Sequence, residues 1–372
     1  MRVLHVGKYY PPHPGGIEYV LHDLIGAQRR QGIEAGAVVH HHQRGLATVR
    51  EGDLWRVRTF GTLVYAPIAP RFGATLRRAV REFRPDVLHI HVPNTSALFV
   101  PNVPTVVHWH ADVVPSRIDT RLAMAYRLYK PLETRMLRRA RAIAATSQRY
   151  LDSSETLARW RDKCHVVPLG VEPARLPEVP QELKQWAQSQ WPAGKLRVLA
   201  IGRLTYYKGF THLTDAISRH NDLSLCIVGQ GELQQQVEDS ITRSGIDNRA
   251  RLLGYVDDEK VRALLAECDC LCMSSIERTE AFGVVLIEAM RYGKPLVVSD
   301  IPGSGVGFAA QDQVNGLLTA PADPAALGDA LNRLHDDPQL ARQLGEAGAK
   351  RFADEFHIDR VAEGFTRIYE SI

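Results

Sequence analysis

The 372-residue chain is 45% hydrophobic, 7% aromatic and 24% charged, which excludes a disordered, collagen-like or coiled-coil reading of the whole, and its length suits two domains. Its net charge of +4 is unevenly spread: residues 1–172 carry 25 basic and 14 acidic side chains, the remainder 21 and 28. A basic half of this kind is built to meet something anionic, whether nucleic acid, an anionic bilayer or a phosphorylated substrate.

The opening Met1-Arg2-Val3-Leu4-His5-Val6-Gly7-Lys8 lacks the apolar run and cleavage site of a signal peptide. Nothing reaches the length of uninterrupted apolar sequence that a spanning helix needs. The five cysteines are too sparse for a disulfide scaffold and suit a reducing compartment. The expectation is a cytoplasmic protein, free or peripheral on the inner face of the plasma membrane. Strands are predicted near 2–7, 35–40, 86–91, 104–109, 142–146 and 164–168, with helices over 17–31 and 120–140. From Val171 to Lys195 the composition changes to that of a linker, with Pro173, Pro177, Pro180 and Pro192 around a short polar helix. The strand pattern restarts at Leu196–Ile201 and continues near 223–228, 250–253, 269–273 and 295–298. Alternating strands and helices predict an α/β protein of two doubly wound, Rossmann-like domains, 1–172 and 195–353, joined by a linker over 173–194. Ligands of such sheets bind beyond the carboxyl ends of the strands, which points to an interdomain cleft.

Three motifs fall just after predicted strands. In Glu280-Ala281-Phe282-Gly283-Val284-Val285-Leu286-Ile287-Glu288-Ala289-Met290 a helix is expected to start near Gly283. Its unpaired amides and positive dipole end suit a phosphate, while a carboxylate two turns beyond Glu280 suits sugar hydroxyls. Gly202-Arg203-Leu204-Thr205-Tyr206-Tyr207-Lys208-Gly209 supplies a planar fork and a point charge for a diphosphate. Pro11-Pro12-His13-Pro14-Gly15-Gly16-Ile17-Glu18 is a glycine turn between strand and helix, neither a dinucleotide fingerprint nor a Walker A loop. Each also has a plainer reading, as a helix cap, surface charge or an ordinary turn.

Histidines and cysteines at alternate positions need the same care. His89-Ile90-His91 and His108-Trp109-His110-Ala111-Asp112 have the spacing of zinc ligands, but a strand places i and i+2 on one face automatically. His110 is read as a polar wall of a sugar site, His40-His41-His42 as a strand end and loop, and Cys268, Cys270 and Cys272 as small core residues. Trp109, Tyr206 and Tyr207 are either core or stacking residues. Between Arg121 and Arg141, seven basic residues alternate with Met124, Leu128, Leu132, Met136 and Leu137, the pattern of a helix lying on an anionic bilayer or of a core helix with a solvated basic face.

Taken together, over essentially the whole chain, these motifs resemble the family 4 glycosyltransferases, retaining enzymes of the GT-B fold. The resemblance implies that Glu280 holds the donor hexose, Glu288 the nucleotide ribose, and Arg203 with Lys208 the donor diphosphate. It implies that the amides of Gly15, Gly16, Phe282, Gly283 and Val284 line the donor, that His110 faces the transferred sugar, and that a last helix over 354–372 crosses back to the first domain. The implied reaction is metal-independent transfer of a hexose from a nucleoside-diphosphate sugar to a saccharide or lipid-linked saccharide. GDP-mannose is favoured over a UDP-sugar by likeness to bacterial mannosyl- and rhamnosyltransferases of polysaccharide and lipopolysaccharide synthesis. No other cofactor is implied, and no nucleic-acid motif accompanies the basic half. A nucleotide-sugar epimerase of the same fold and a silent scaffold protein are the alternatives.

Overall fold

Apolar runs become strands here because they are covered on both faces, which only a helix-flanked parallel sheet provides. The computed structural model describes residues 1–96, 100–113, 120–192 and 194–372. It divides into two units, Met1–Glu172 with Ile358–Ile372, and Pro173–His357.

The first unit runs β1 (Arg2–Val6), α1 (Gly16–Arg30), β2 (Glu34–Arg44), β3 (Val49–Glu51), β4 (Leu54–Thr59), β5 (Thr62–Leu63), β6 (Ala66–Pro67), α2 (Phe72–Phe83), β7 (Val87–Val92), β8 (Thr105–Trp109), α3 (Thr120–Arg139), β9 (Ala142–Ala145), α4 (Gln148–Ser153) and β10 (Cys164–Val166). Its main sheet has the order β10-β9-β8-β7-β1-β2-β4-β3, parallel except for the pairing of β3 with β4. The sequence reading lacked β3 to β6. β3, β5 and β6 are short and largely exposed, and β4, though mostly buried, interleaves Arg56 and Arg58 with its apolar residues, so all four carry little apolar signal. His40, His41 and His42 lie inside β2 rather than at its end.

The second unit runs α5 (Gln181–Gln188), β11 (Leu196–Ile201), α6 (Phe210–Ser218), β12 (Leu223–Val228), α7 (Gln234–Arg243), β13 (Ala250–Gly254), α8 (Asp258–Glu267), β14 (Cys270–Met273), α9 (Val284–Arg291), β15 (Leu296–Ser299), α10 (Val306–Ala309), β16 (Gly316–Thr319), α11 (Pro324–Asp336) and α12 (Pro338–Arg351). All six strands pair in parallel, in the order β13-β12-β11-β14-β15-β16. The proline-rich segment expected as a linker is folded into this unit: α5 packs on α8, and buried Trp191 donates its indole N–H to the Val198 carbonyl at 3.2 Å. Ala193 lies outside the described residues. Cys268, Cys270 and Cys272 are buried, the last two within the core of this unit.

The chain ends in α13 (Ile358–Glu370), which belongs to the first unit. Ile358, Val361, Phe365, Ile368 and Tyr369 bury one face against Leu24 and Ala27 of α1 and the sheet residues Val3, Val87 and Val106. A fully buried aliphatic or aromatic side chain contributes roughly 1.5–3 kcal/mol, so this face alone secures the helix.

Each sheet is wound outward from its middle. In the first, the chain goes from β1 to β2 and β4, then returns to β7 and proceeds the other way; in the second it goes β11, β12, β13, then returns to β14. The strand pairs β1/β7 and β11/β14 are therefore topological switch points, where the loops leaving the carboxyl ends diverge and leave room for a ligand.

Candidate active site

The switch point of the second unit brings together two motifs about seventy residues apart in sequence. β11 and β14 pair through Val198 with Cys270 and Leu199 with Leu271, so the loop carrying Arg203 and Lys208 leaves beside the loop carrying Glu280. The loops are laced by main chain and side chain: the Ile276 amide donates to the Tyr207 carbonyl at 2.7 Å, and Ser274 Oγ to the Lys208 carbonyl at 3.0 Å. Lys208 Nζ meets Glu280 Oε2 at 2.5 Å, with both side chains little exposed. Burial, the largest single influence, acts to lower the Lys208 pKa, but the charge and hydrogen bond of Glu280 together with Tyr207 outweigh it, and the ammonium is held above its ordinary range. Ser275 Oγ donates to the same Glu280 oxygen at 3.2 Å, and Ser304 Oγ donates to the Glu280 carbonyl. Arg203, on the same loop as Lys208, is exposed.

Behind Glu280 the chain turns sharply into α9. Gly283 has φ +81°, a left-handed conformation, and a Cβ there would lie 2.8 Å from the Met273 methyl; both facts demand glycine. No side chain among the described residues caps α9; the Leu286 amide turns back to the Gly283 carbonyl at 2.9 Å, and the amides ahead of it project the positive end of the dipole. The Phe282 side chain anchors the turn in the core beside Phe308 and Phe356, while the Gly305 amide donates to the Ala281 carbonyl at 2.8 Å. Val284 opens α9, and Glu288 lies on it. Glu288 Oε1 accepts from Arg175 Nη2 at 3.0 Å, both side chains being less than a fifth exposed. Arg175 escaped the sequence reading because it sits in the proline-rich segment, where charge carries no periodic signal. Ser275 and Ser304 escaped it because isolated serines look like turn residues.

In the first unit, Gly15 precedes α1 and Gly16 begins it. A Cβ on Gly15 would lie 2.2 Å from Glu18 Oε2, which folds back over the turn, so a side chain here would displace that carboxylate. Burial raises the Glu18 pKa. His110 follows β8; its amide donates to the Val92 carbonyl at 3.1 Å. Its ring is 3% exposed, Nε2 lies 2.9 Å from His91 Nδ1, and Nδ1 is buried without a partner among the described residues. Burial pushes its pKa down to about 3. Trp109 is core, donating its indole N–H to Asp112 Oδ1 at 2.8 Å.

His110 belongs to a larger buried cluster with His5, His89, His91 and His108. Two triads, His5–His89–His91 and His91–His108–His110, place ring nitrogens within 4.8 Å of one another, the spacing of metal ligands. Neither triad contains a carboxylate, and every ring is at most 3% exposed. A dication there would be buried without counter-charge.

The profile described as Glycosyl transferases group 1 matches residues 182–351, and that described as Glycosyltransferase Family 4 matches residues 14–175. The chain is 31% identical to the O-antigen chain mannosyltransferase C of Escherichia coli, over 100% of this chain and 99% of that protein. It is 30% identical to the D-rhamnosyltransferase WbpZ of Pseudomonas aeruginosa, over 96% and 92%. Among solved structures, HepE of Anabaena in complex with UDP-glucose superposes with a TM-score of 0.76 at 21% identity, covering 100% of both chains. Two Rossmann-like parallel sheets, two matching profiles and full-length relatives agree: the chain belongs to the family 4, group 1 glycosyltransferases and has the GT-B fold.

Proposed function

We propose that this glycosyltransferase moves a hexose, mannose from GDP-mannose in preference to a UDP-sugar, onto a saccharide or lipid-linked saccharide acceptor of bacterial O-antigen or lipopolysaccharide synthesis. The names of its mannosyl- and rhamnosyltransferase relatives support the sugar and the pathway. The observation that carries the donor class is the lysine held at the switch point of the second unit, beside the exposed Arg203 and the uncapped start of α9. Departure of the nucleoside diphosphate builds negative charge on the β-phosphate, and fixed cations and amides aimed at that charge lower the barrier. In this reading Arg203, Lys208 and the amides of Phe282, Gly283 and Val284 take the diphosphate, with no metal ion required. Glu280 then exchanges its hold on Lys208 for the hexose hydroxyls, and Glu288, steadied by Arg175, accepts from the ribose diol. The first unit binds the acceptor, its Gly15 and Gly16 amides approach the donor phosphate, and His110 meets the transferred sugar.

The anomeric configuration is retained by front-face transfer. The C1–O bond to the β-phosphate breaks as the acceptor oxygen forms its bond to C1 on the same face. The acceptor proton passes to the departing phosphate oxygen. A thermal-shift panel of nucleotide sugars identifies the donor, since a ligand that binds only the folded state raises its stability. NMR of the product then reads the anomer. GDP-mannose giving the largest shift and a retained anomer support the reading. An inverted anomer, or donor consumed with no acceptor present as an epimerase would do, contradicts it.

We also assign α3 a contact with an anionic bilayer. Met124, Leu128 and Leu132 are 69%, 79% and 42% exposed at four-residue spacing, among Arg121, Arg127, Lys130, Arg135, Arg138 and Arg139. Apolar groups on a helix bordered by cations suit the headgroup boundary. No helix among the described residues is long and apolar enough to cross a membrane. Flotation with phosphatidylglycerol vesicles should exceed flotation with neutral vesicles; equal recovery contradicts the assignment.

A further inference from the structure

The hydrogen bonds of the histidine cluster form one unbranched chain within the first unit. It runs from His110 Nε2 to His91 Nδ1 at 2.9 Å, from His91 Nε2 to His5 Nδ1 at 3.1 Å, and from His5 Nε2 to Gln28 Oε1 at 2.8 Å. It continues from Gln28 Nε2 to the Tyr369 hydroxyl at 2.9 Å, from there to His89 Nδ1 at 2.5 Å, and from His89 Nε2 to His108 Nδ1 at 3.2 Å. Parallel register sets it up, with His5 opposite His89 on β1 and β7, and His91 opposite His108 on β7 and β8. α1 supplies Gln28 and α13 supplies Tyr369.

Gln28 decides where the protons lie on the arm from His5 to His110, and the need of the Tyr369 O–H for an acceptor sets the other arm. Its amide oxygen only accepts, so His5 carries its proton on Nε2. Burial holds all five imidazoles below their ordinary pKa, so each is neutral and has a single N–H. His5 Nδ1 must therefore accept from His91 Nε2, and His91 Nδ1 from His110 Nε2. On the other side the Gln28 amide donates to Tyr369, whose O–H turns to His89 Nδ1, and His89 Nε2 donates to His108 Nδ1. Eight of the ten ring nitrogens are occupied in this way; the two left buried without a partner among the described residues are the chain ends, His110 Nδ1 and His108 Nε2. His110 Nδ1 is a bare lone pair. The occupied nitrogens also weigh against metal binding in either triad, because ligation would break the chain in a core that offers no counter-charge.

We propose that this chain locks the tautomer of His110, with His91, His5 and Gln28 as positioning residues that keep its proton on Nε2 and present Nδ1 as an acceptor to one hydroxyl of the transferred hexose. The proposal rests on the reading that His110 meets that sugar. A group built to accept from a hydroxyl discriminates against a sugar that lacks it, because the buried lone pair is then left unpaired.

Long-range 1H–15N correlation of the full-length protein, labelled at histidine, reads the tautomers directly. The expected result is a neutral Nε2–H ring at His5, His89, His91, His108 and His110 at pH 7. An Nδ1–H, mixed or protonated His110, or stoichiometric uptake of zinc or nickel, overturns the lock. His91→Phe and His108→Phe form the second arm. Both keep an aromatic ring in the stack and remove two nitrogens, but only His91 is bonded to His110. His91→Phe removes two hydrogen bonds, and loss of the one that orients His110 should lower kcat about tenfold, with donor KM little changed and the His110 tautomer disturbed. His108→Phe should change kcat less than about twofold and leave that tautomer intact. Equal losses in both variants overturn the relay, since a purely structural role predicts them. If either variant fails to fold, the wild-type tautomers still decide. Failure of the sugar reading is distinguishable: His110→Ala would turn over at the wild-type rate while the tautomer pattern in the wild-type protein stood as described.

Discussion

The two units solve the burial of polar groups in opposite ways. In the second, Lys208 and Glu280, and Arg175 and Glu288, are charged groups set against each other near the ends of the strands, each with some exposure left. In the first, five imidazoles are buried and kept neutral by burial, in a chain of hydrogen bonds that carries no net charge. The contrast matches what each unit is proposed to meet. A diphosphate calls for charge that is already desolvated and oriented, and in the proposed reading Lys208 waits on a carboxylate that the substrate can replace, while Arg175 stays on Glu288. A sugar hydroxyl calls only for a donor or acceptor of fixed sense, which a neutral network supplies without the cost of a buried ion.

The largest effect that would break this comparison is expected at Lys208. Lys208→Ala should lower donor turnover by roughly 10²–10³-fold, the scale of removing a fixed group that stabilises developing charge. It should also destabilise the second unit by about 3 kcal/mol, because Glu280 is left without its counter-charge. Lys208→Met with Glu280→Gln should recover most of that stability but none of the turnover, read by urea unfolding and by donor consumption. Recovery of both would make the pair structural.

Acid sharpens the comparison next. A His whose folded pKa lies below its unfolded value of 6.5 costs nothing above pH 6.5. As pH falls through 6.5 the unfolded chain takes up a proton that the folded chain refuses, and stability drops until the folded pKa is reached. For His5, pushed down to about 4, the loss is on the order of 3 kcal/mol, and the neighbouring rings add to it. Hydrogen exchange at pH 7 and pH 4.5 should therefore show the first unit opening first; equal opening of both units would contradict the neutral core.

Much of this was legible in sequence. Strands such as Leu196–Ile201 and Leu223–Val228 are apolar runs broken by a single polar residue, Arg197 or Ser224, and the two-unit layout follows from the pattern restarting after Val171–Lys195. The motif Glu280–Met290 stood out as a glycine before an apolar helix flanked by carboxylates, although a helix cap with a solvated face read as well from the residues alone. What sequence could not show is set by pairing between strands distant in the chain. His89, His91, His108 and His110 were visible as alternating pairs, but only the β1/β7/β8 register reveals that His5 joins them. Gln28 and Tyr369 looked like ordinary helix residues, separated by 341 positions. Arg175 was hidden in a segment that read as linker and proved to pack into the second unit.

Smaller effects refine the two sites. Glu288→Gln should raise donor KM about tenfold with kcat little changed, as expected for lost ribose binding made equally in ground and transition states. Arg175→Ala should raise it less, because Arg175 acts only by steadying Glu288; an effect larger than that of Glu288→Gln would assign Arg175 its own contact with the donor. The smallest change is expected at Leu128, whose side chain is 79% exposed on α3. Leu128→Ser should weaken recovery on phosphatidylglycerol vesicles about fivefold, for the loss of one inserted side chain, and leave turnover of a water-soluble acceptor unchanged.

The proposed diphosphate grip of the second unit is tested most directly by calorimetric titration of GDP and GMP into the wild-type protein and Lys208→Ala. Wild type should bind the diphosphate at least about tenfold more tightly than the monophosphate, since the second phosphate gains a charge-assisted contact. In Lys208→Ala that gap should close. A gap of the same size in the variant, or none in the wild type, would contradict the assignment of Lys208 to the diphosphate.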